Sequence, residues 1–282
     1  EMTPEEAAAA GAGTMIIGVA NAGGYIPPLW TDVLIRALRA GLDLASGLHD
    51  RLADIPSVRD EATRLGRQLH DVRHPARSFA VGSGERRSGK RLLTVGTDCS
   101  AGKMYTSLAL VDAIRARGLD ADFRATGQTG IFIAGDGVSV DAVVADFISG
   151  ATEWLSPAAD PAHWDVIEGQ GSLFHPSYAG VSLGLLHGAQ PDALVMCHEP
   201  TRTHMRGLPN RPLPDLADCI AANEQAARLT NPRAACIGVC FNTSALARDA
   251  AEAYVAELSN RLRLPCVDPL VHGVDRIVDR LP

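Results

Sequence analysis

The chain has 282 residues, 46% hydrophobic and 21% charged, enough for one large or two modest domains with an apolar core and too apolar for disorder. A formal net charge of −7 without any run of five basic residues excludes a general nucleic-acid or anionic-membrane surface, so an anionic ligand must meet a local cluster of donors. No apolar run approaches the ~18 residues that cross a bilayer, and six cysteines without paired CxxC spacing fit reduced thiols in a cytoplasm better than a disulfide framework.

In chain order, "EMTPEEAAAAGAG" has neither an initiator methionine nor the basic n-region of a signal peptide, and an upstream segment is expected to be missing. "TMIIGVANAGG" from Thr14 reads as a buried strand ending in a glycine turn, and "PPLWTDVLIRALRAG" as a helix with proline at its start and glycine after its end. "LDLASGLH" is the next strand, and Ile55 to Leu69 has helical spacing, which makes a small α/β domain over residues 1–88 together with a polar, glycine-rich linker, "GSGERRSGK". Residues 89–282 repeat the pattern with longer elements. Strands are predicted at "RLLTVG", "ADFRATG", "WDVIEG", "DALVMCH" and "AACIGVCFN", and a short one at "LPCVDP". Between them run helices over Lys103–Arg117, Ser139–Leu155, "YAGVSLGLLHGA", Leu213–Leu229 and Ser244–Leu262. Continuously apolar strands alternating with helices predict an α/β fold, a parallel sheet with helices on both faces. Cys236 and Cys240, four apart, are expected on one face of their strand as buried small hydrophobes rather than zinc ligands.

Ligands of such sheets collect at the carboxyl ends of the strands, and the polar motifs of this chain fall there. "GTDCSAGKMYT" follows a strand and opens a helix, so its backbone N–H groups, the helix dipole and Lys103 converge on one anion. The spacing from Gly96 to Gly102-Lys103 is one residue longer than GxxxxGK. The cradle comprises Gly96, Thr97, Asp98, Cys99, Ser100, Ala101, Gly102, Lys103 and Met104. Met104 stands where a magnesium-binding Ser or Thr belongs, and Thr106 lies on another helix face; this departure weakens metal-assisted phosphoryl transfer without weakening anion binding.

Glu168 ends a strand in "DVIEGQGSLFHPSYAG", with flanking glycines that give its carboxylate and the Gln170 amide room to meet a ligand as proton acceptor and hydrogen-bond donor. His175 on the same loop and His198 at another strand exit are the alternative bases. In "CHEPTRTHMRGLP", Arg202 and Arg206 share a face if the segment makes a helical turn, a fork for a dicarboxylate. His198 and His204 lack the partners of a zinc site, and no metal is expected. Arg124 and Gln128 in "RATGQTG" add polar ligand recognition.

The Gly-Thr-Asp start makes the loop resemble the phosphate loop of dethiobiotin synthetase. Taken together, "GVANAGG", "GTDCSAGKMYTSLAL", "RATGQTG", "VVADFISGATEWL" and "DVIEGQGSLFHPSYAGVSLGLLHGAQPDALVMCHEPTR" resemble the D-glutamate N-acetyltransferase family over essentially the whole chain. That resemblance implies a small Rossmann-like domain before a P-loop NTPase-like one, and transfer of acetyl from acetyl-CoA to the amine of D-glutamate. Acetyl-CoA would then be the co-substrate whose phosphates the cradle holds, with Arg202, Arg206 and Arg124 on the glutamate carboxylates. A soluble, cytoplasmic homodimer acting on small molecules, without nucleic acid or membrane partners, is the accompanying expectation. The rival readings are an ATP- and Mg-dependent ligase or kinase resembling dethiobiotin synthetase, and a non-catalytic nucleotide- or CoA-sensing module.

Overall fold

The computed structural model describes residues 1–282 except Ala20 and Ala22, so those two positions of "GVANAGG" lie outside the described residues. After a short helix α1 (Pro4–Ala9), closed by a capping box between Thr3 and Glu6, come β1 (Thr14–Ile17), α2 (Thr31–Arg39), β2 (Asp43–Ser46), α3 (Pro56–Leu65) and β3 (Leu69–Asp71). The strands pair in parallel in the order β1-β2-β3. Leu34, Leu38, Leu44, Leu52 and Val58 form the core of this small sheet and its helices.

The rest of the chain runs β4 (Lys90–Gly96), α4 (Lys103–Ala116), β5 (Ala121–Arg124), α5 (Gln128–Ala134), α6 (Ile148–Leu155), β6 (Trp164–Ile167) and α7 (Ala179–Ala189). It continues with β7 (Ala193–His198), α8 (Leu216–Arg228), β8 (Ala235–Phe241), α9 (Arg248–Leu262), β9 (Cys266–Val267), α10 (Pro269–His272) and α11 (Asp275–Val278). All six strands are parallel, ordered β5-β6-β4-β7-β8-β9. Alternate residues feed opposite cores: Leu93, Ile167, Leu194 and Met196 pack under α6 to α9, whereas Leu92, Val166, Val195 and Cys197 pack under α4 and α11. Each fully buried leucine contributes roughly 1.5–3 kcal/mol. That double burial is why the strands read as unbroken apolar runs, and it is the α/β class the sequence predicts. No helix among the described residues is long and apolar enough to cross a membrane.

Local chemistry moved several element boundaries. α3 stops at Gly66, whose φ of +65° ends the helix, and Leu69 already belongs to β3. The helix predicted over Ser139–Leu155 is two 3-10 turns followed by α6, since Val138, Val140, Val143 and Val144 are β-branched and resist helix. The short α5, inside "GQTGIFIAG", was masked by its glycines. α8 begins at Leu216, after Pro214 and with Asp215 as its side-chain cap. Cys236 and Cys240 do not share a face: a register shift in the β7–β8 pairing puts Cys236 in one core and Cys240 in the other.

The predicted linker is a docked strap. The Ser83 and Gly84 amides donate to the Glu153 carboxylate at 2.8 and 3.0 Å, the Gln190 amide donates to the Gly84 carbonyl at 2.9 Å, and the Arg87 guanidinium donates to the Gly188 carbonyl at 2.6 Å. Arg77 lies 4.4 Å over the Trp154 ring.

Candidate active site

β4 delivers its last residue, Gly96, to the middle of the large sheet, and the loop 97–102 turns there into α4. Ser100 takes a left-handed φ of +52° and Gly102 one of +93°, a strained path of the kind that persists where a ligand is gripped. Among the described residues, the backbone N–H groups of Ser100, Ala101 and Gly102 donate to no protein acceptor. With the amino end of α4 behind them they are free to receive an anion. The Lys103 side chain folds back beneath the loop, where its ammonium donates to the carbonyls of Asp98 at 2.8 Å and Gly171 at 2.9 Å. Gly96 is needed for this, because a Cβ there would lie 2.9 Å from Nζ. Burial lowers the Lys103 pKa, and its holding groups are dipoles rather than a carboxylate. Met104 lines the cavity as the second residue of the helix, whereas Thr106 is buried and is not among the described residues lining it.

Beside the cradle lies a cavity of about 410 Å³ lined by the first turn of α4 (Lys103, Met104, Tyr105), the start of α5 (Gln128, Thr129) and Glu168 to Gln170 after β6. Glu168 is 5% exposed. Its Oε2 accepts the N–H groups of Thr126 at 3.0 Å and Gly127 at 3.1 Å, and Gly130 packs so close that a Cβ would stand 2.3 Å from that oxygen. Burial drives the carboxyl pKa up from 4.5 to about 7, against the pull of the two backbone donors and of Lys103. Gln170 lines the cavity with its amide donating to Thr126 Oγ1 at 3.2 Å. The arrangement can hold an anion at one end and move a proton near neutral pH at the other.

The two histidine alternatives are occupied elsewhere. His175 accepts the Ser177 N–H at Nδ1 (3.2 Å), which leaves Nε2 to donate to the Arg206 carbonyl at 3.1 Å. Its ring stacks 4.6 Å from Tyr178, so it ties two loops together. His198 is buried with Nδ1 2.9 Å from the Thr97 hydroxyl, and burial pushes its pKa down to about 4. Neither is among the described residues lining the cavity.

The expected arginine positions are also corrected. Residues 199–211 make turns and one isolated bridge instead of a helical turn. Arg202 reaches under the phosphate loop, donating to Asp98 Oδ2 at 2.7 Å and the Cys99 carbonyl at 2.6 Å, with Glu199 3.2 Å from Nε. Arg206 donates its backbone N–H to Asp98 at 2.8 Å and its guanidinium to the Ser100 hydroxyl. Both clamp the loop from outside; they do not form a fork over the cavity. Arg124 points into a separate network, with Nε 2.6 Å from Asp165 and Nη2 3.3 Å from Asp122. Buried carboxylates claim the Arg202 and Arg124 guanidiniums before any ligand does.

Three cavity-lining residues lie outside the polar motifs read from the sequence: Arg73, Asp141 and Asn242. Asn242 directly follows β8, so the strand-end rule could have found it. Arg73 follows β3, which the helical reading of Ile55–Leu69 concealed.

Residues 78–278 match the family described as a domain of unknown function, DUF1611, P-loop domain, and residues 1–75 match its N-terminal, Rossmann-like domain. The chain is 54% identical over 281 residues to a D-glutamate N-acetyltransferase of Tritonibacter scottomollicae, covering 100% of this chain and 84% of that one. It is 52% identical over 276 residues to a D-glutamate N-acetyltransferase of Pseudoalteromonas sp., with 98% and 83% covered. A crystal structure of a DUF1611 family protein from Anabaena variabilis superposes with a TM-score of 0.91 at 37% identity, over 99% of this chain and 82% of that one. The chain belongs to the DUF1611 family, and the resemblance carried by its motifs extends over its whole length.

Proposed function

We propose that this member of the DUF1611 family is an N-acetyltransferase that moves acetyl from acetyl-CoA to the amine of D-glutamate or a related D-amino acid. The names of its two curated relatives support the reaction class. The observation that carries the mechanism is one cavity holding both a carboxyl poised near pH 7, Glu168, and an anion cradle whose helix opens on Met104. Coenzyme A offers a pyrophosphate and a ribose phosphate to grip and requires no phosphoryl transfer, so a cradle without a metal-binding hydroxyl suits it.

In this mechanism Gly96 to Lys103 hold the coenzyme A phosphates and position the thioester over the cavity. Glu168, ionised, takes a proton from the acceptor ammonium, and the neutral amine attacks the thioester carbonyl. The Gln128 NH2 meets no acceptor among the described residues, and it or the loop N–H groups stabilise the tetrahedral oxyanion. Collapse breaks the carbon–sulfur bond, and the second proton of the attacking nitrogen passes to the leaving thiolate, releasing the amide and coenzyme A.

A thiol-release assay with acetyl-CoA and a panel of D- and L-amino acids, with and without EDTA, tests this. The expected result is free coenzyme A that depends on D-glutamate and ignores the chelator. Mg-dependent ADP release from ATP would favour a ligase or kinase, and ligand-induced thermal stabilisation without thiol release a sensing module.

A further inference from the structure

Of the cations expected to receive the acceptor's carboxylates, none lines the cavity. The described residues that do line it include two cations, Lys103 and Arg73. Lys103 belongs to the phosphate end, held by the Asp98 and Gly171 carbonyls. Arg73 comes from the other sheet, two residues beyond β3. Its side chain is only 11% exposed although it faces a cavity. Nε is anchored within its own domain, donating to the Gly47 carbonyl at 2.7 Å. This leaves the two terminal nitrogens directed across the domain boundary, where Nη1 meets the Asp141 carboxylate and Nη2 donates to Gln128 Oε1 at 3.0 Å.

A guanidinium fixed at Nε and offering both terminal nitrogens matches the two oxygens of a carboxylate. Two side-chain oxygens from two residues now occupy those positions. Asp141 is itself steered by the Ser139 hydroxyl at 3.0 Å and stays 34% exposed, so it can turn away without leaving a buried charge behind. Arg202 and Arg124, by contrast, pair with Asp98 and Asp165, which are 1% and 2% exposed and have no such exit.

We propose that Arg73 is the residue that binds a carboxylate of the amino-acid acceptor, which displaces Asp141 and Gln128 from its terminal nitrogens. This rests on the acetyl-transfer reading and deepens it: the small domain supplies acceptor recognition, and the large one supplies the donor cradle and the base. Asp141 is then a competitor that keeps the guanidinium paired in the free enzyme.

Steady-state kinetics on R73Q, R73K and D141N test this, with calorimetric titration of D-glutamate in the presence of coenzyme A. R73Q should raise the KM for D-glutamate by about tenfold to a hundredfold, the scale of a charge-assisted pair, and leave the KM for acetyl-CoA within about twofold. R73K, which keeps the charge and loses the fork, should fall between R73Q and wild type. D141N breaks the same interdomain pair from the other side. If Arg73 were merely a latch between domains, D141N would behave like R73Q; as a carboxylate site, it should bind D-glutamate more tightly, by a few-fold, and gain more thermal stability from it. The proposal is overturned if R73Q shifts both KM values alike, or if D141N weakens D-glutamate as R73Q does. Should R73Q not fold, R73K and D141N decide the matter by the same opposition. An enzyme that acetylates D-glutamate with an Arg73-independent KM sinks this inference and leaves the reaction standing. Arg73-dependent D-glutamate binding without thiol release does the reverse, and failure of wild type to bind D-glutamate removes both.

Discussion

Replacing Glu168 by glutamine keeps an oxygen to accept the Thr126 and Gly127 N–H groups and removes the site that binds a proton. Moving this carboxyl from 4.5 to about 7 by burial sets roughly 3 kcal/mol against the carboxylate in the folded protein, at about 1.36 kcal/mol per pH unit. A base of that pKa is about one-tenth ionised near pH 6 and about nine-tenths near pH 8, so kcat/KM for D-glutamate should climb about tenfold across that range; an ordinary glutamate would leave it flat. Glu168→Gln should lower kcat/KM by about 10²- to 10⁴-fold and abolish that limb. The same shift predicts stability with a definite sign. The folded protein holds this proton more tightly than the unfolded chain, so wild type loses roughly 3 kcal/mol relative to Glu168→Gln as pH rises from about 4.5 through about 7, and no more above it. Thiol release at saturating acetyl-CoA from pH 5.5 to 9, paired with denaturant unfolding at pH 5 and pH 8, measures both. A variant that retains turnover with the same limb would refute Glu168 as the base, and a stability difference that does not change with pH would refute the burial argument.

Lys103→Ala removes the ammonium that donates to the Asp98 and Gly171 carbonyls under the loop; the KM for acetyl-CoA should rise about tenfold or more, and an unchanged value in the thiol-release assay would remove the cradle from the mechanism. Gly130→Ala places a Cβ 2.3 Å from Glu168 Oε2, so kcat should fall by about tenfold or more and stability by about 1–3 kcal/mol, because the buried carboxylate must give up its Thr126 and Gly127 donors; wild-type turnover would mean that the carboxylate has another productive position. Asp98→Asn removes the buried one of two carboxylates on Arg202, whose side chain is 18% exposed and keeps Glu199. A loss of roughly 1–3 kcal/mol in urea unfolding is expected, together with a higher KM for acetyl-CoA; a loss under about 0.5 kcal/mol would show that the clamp does not hold the loop.

Pattern alone determined the parallel α/β class and most of the strands, because "RLLTVG", "DALVMCH" and "AACIGVCFN" are buried on both faces and burial of that kind demands unbroken apolar text. It also pointed to the loop that opens α4 and to Glu168, which the fold places on one cavity, because both rest on local geometry: a strand end, a glycine, a helix start. Elements resting on weaker local signals went astray, as when four valines between Val138 and Val144 turned an apparent helix into 3-10 turns.

The arginines were decided by tertiary structure. In the sequence Arg124, Arg202 and Arg206 are equivalent cations near strand ends, and Arg73 carries no signal of its own. Which one meets a ligand depends on which carboxylates the fold brings alongside, and those partners lie far off in the chain: Asp98 for Arg202, Asp165 for Arg124, Asp141 and Gln128 for Arg73. A buried charge takes the nearest anion because leaving it unpaired costs several kcal/mol. The histidines follow the same logic, His175 tied to the Arg206 carbonyl and His198 to the Thr97 hydroxyl. Local geometry is written in neighbouring residues, whereas the pairing of charges is a property of the packed whole, and only the fold could make that assignment.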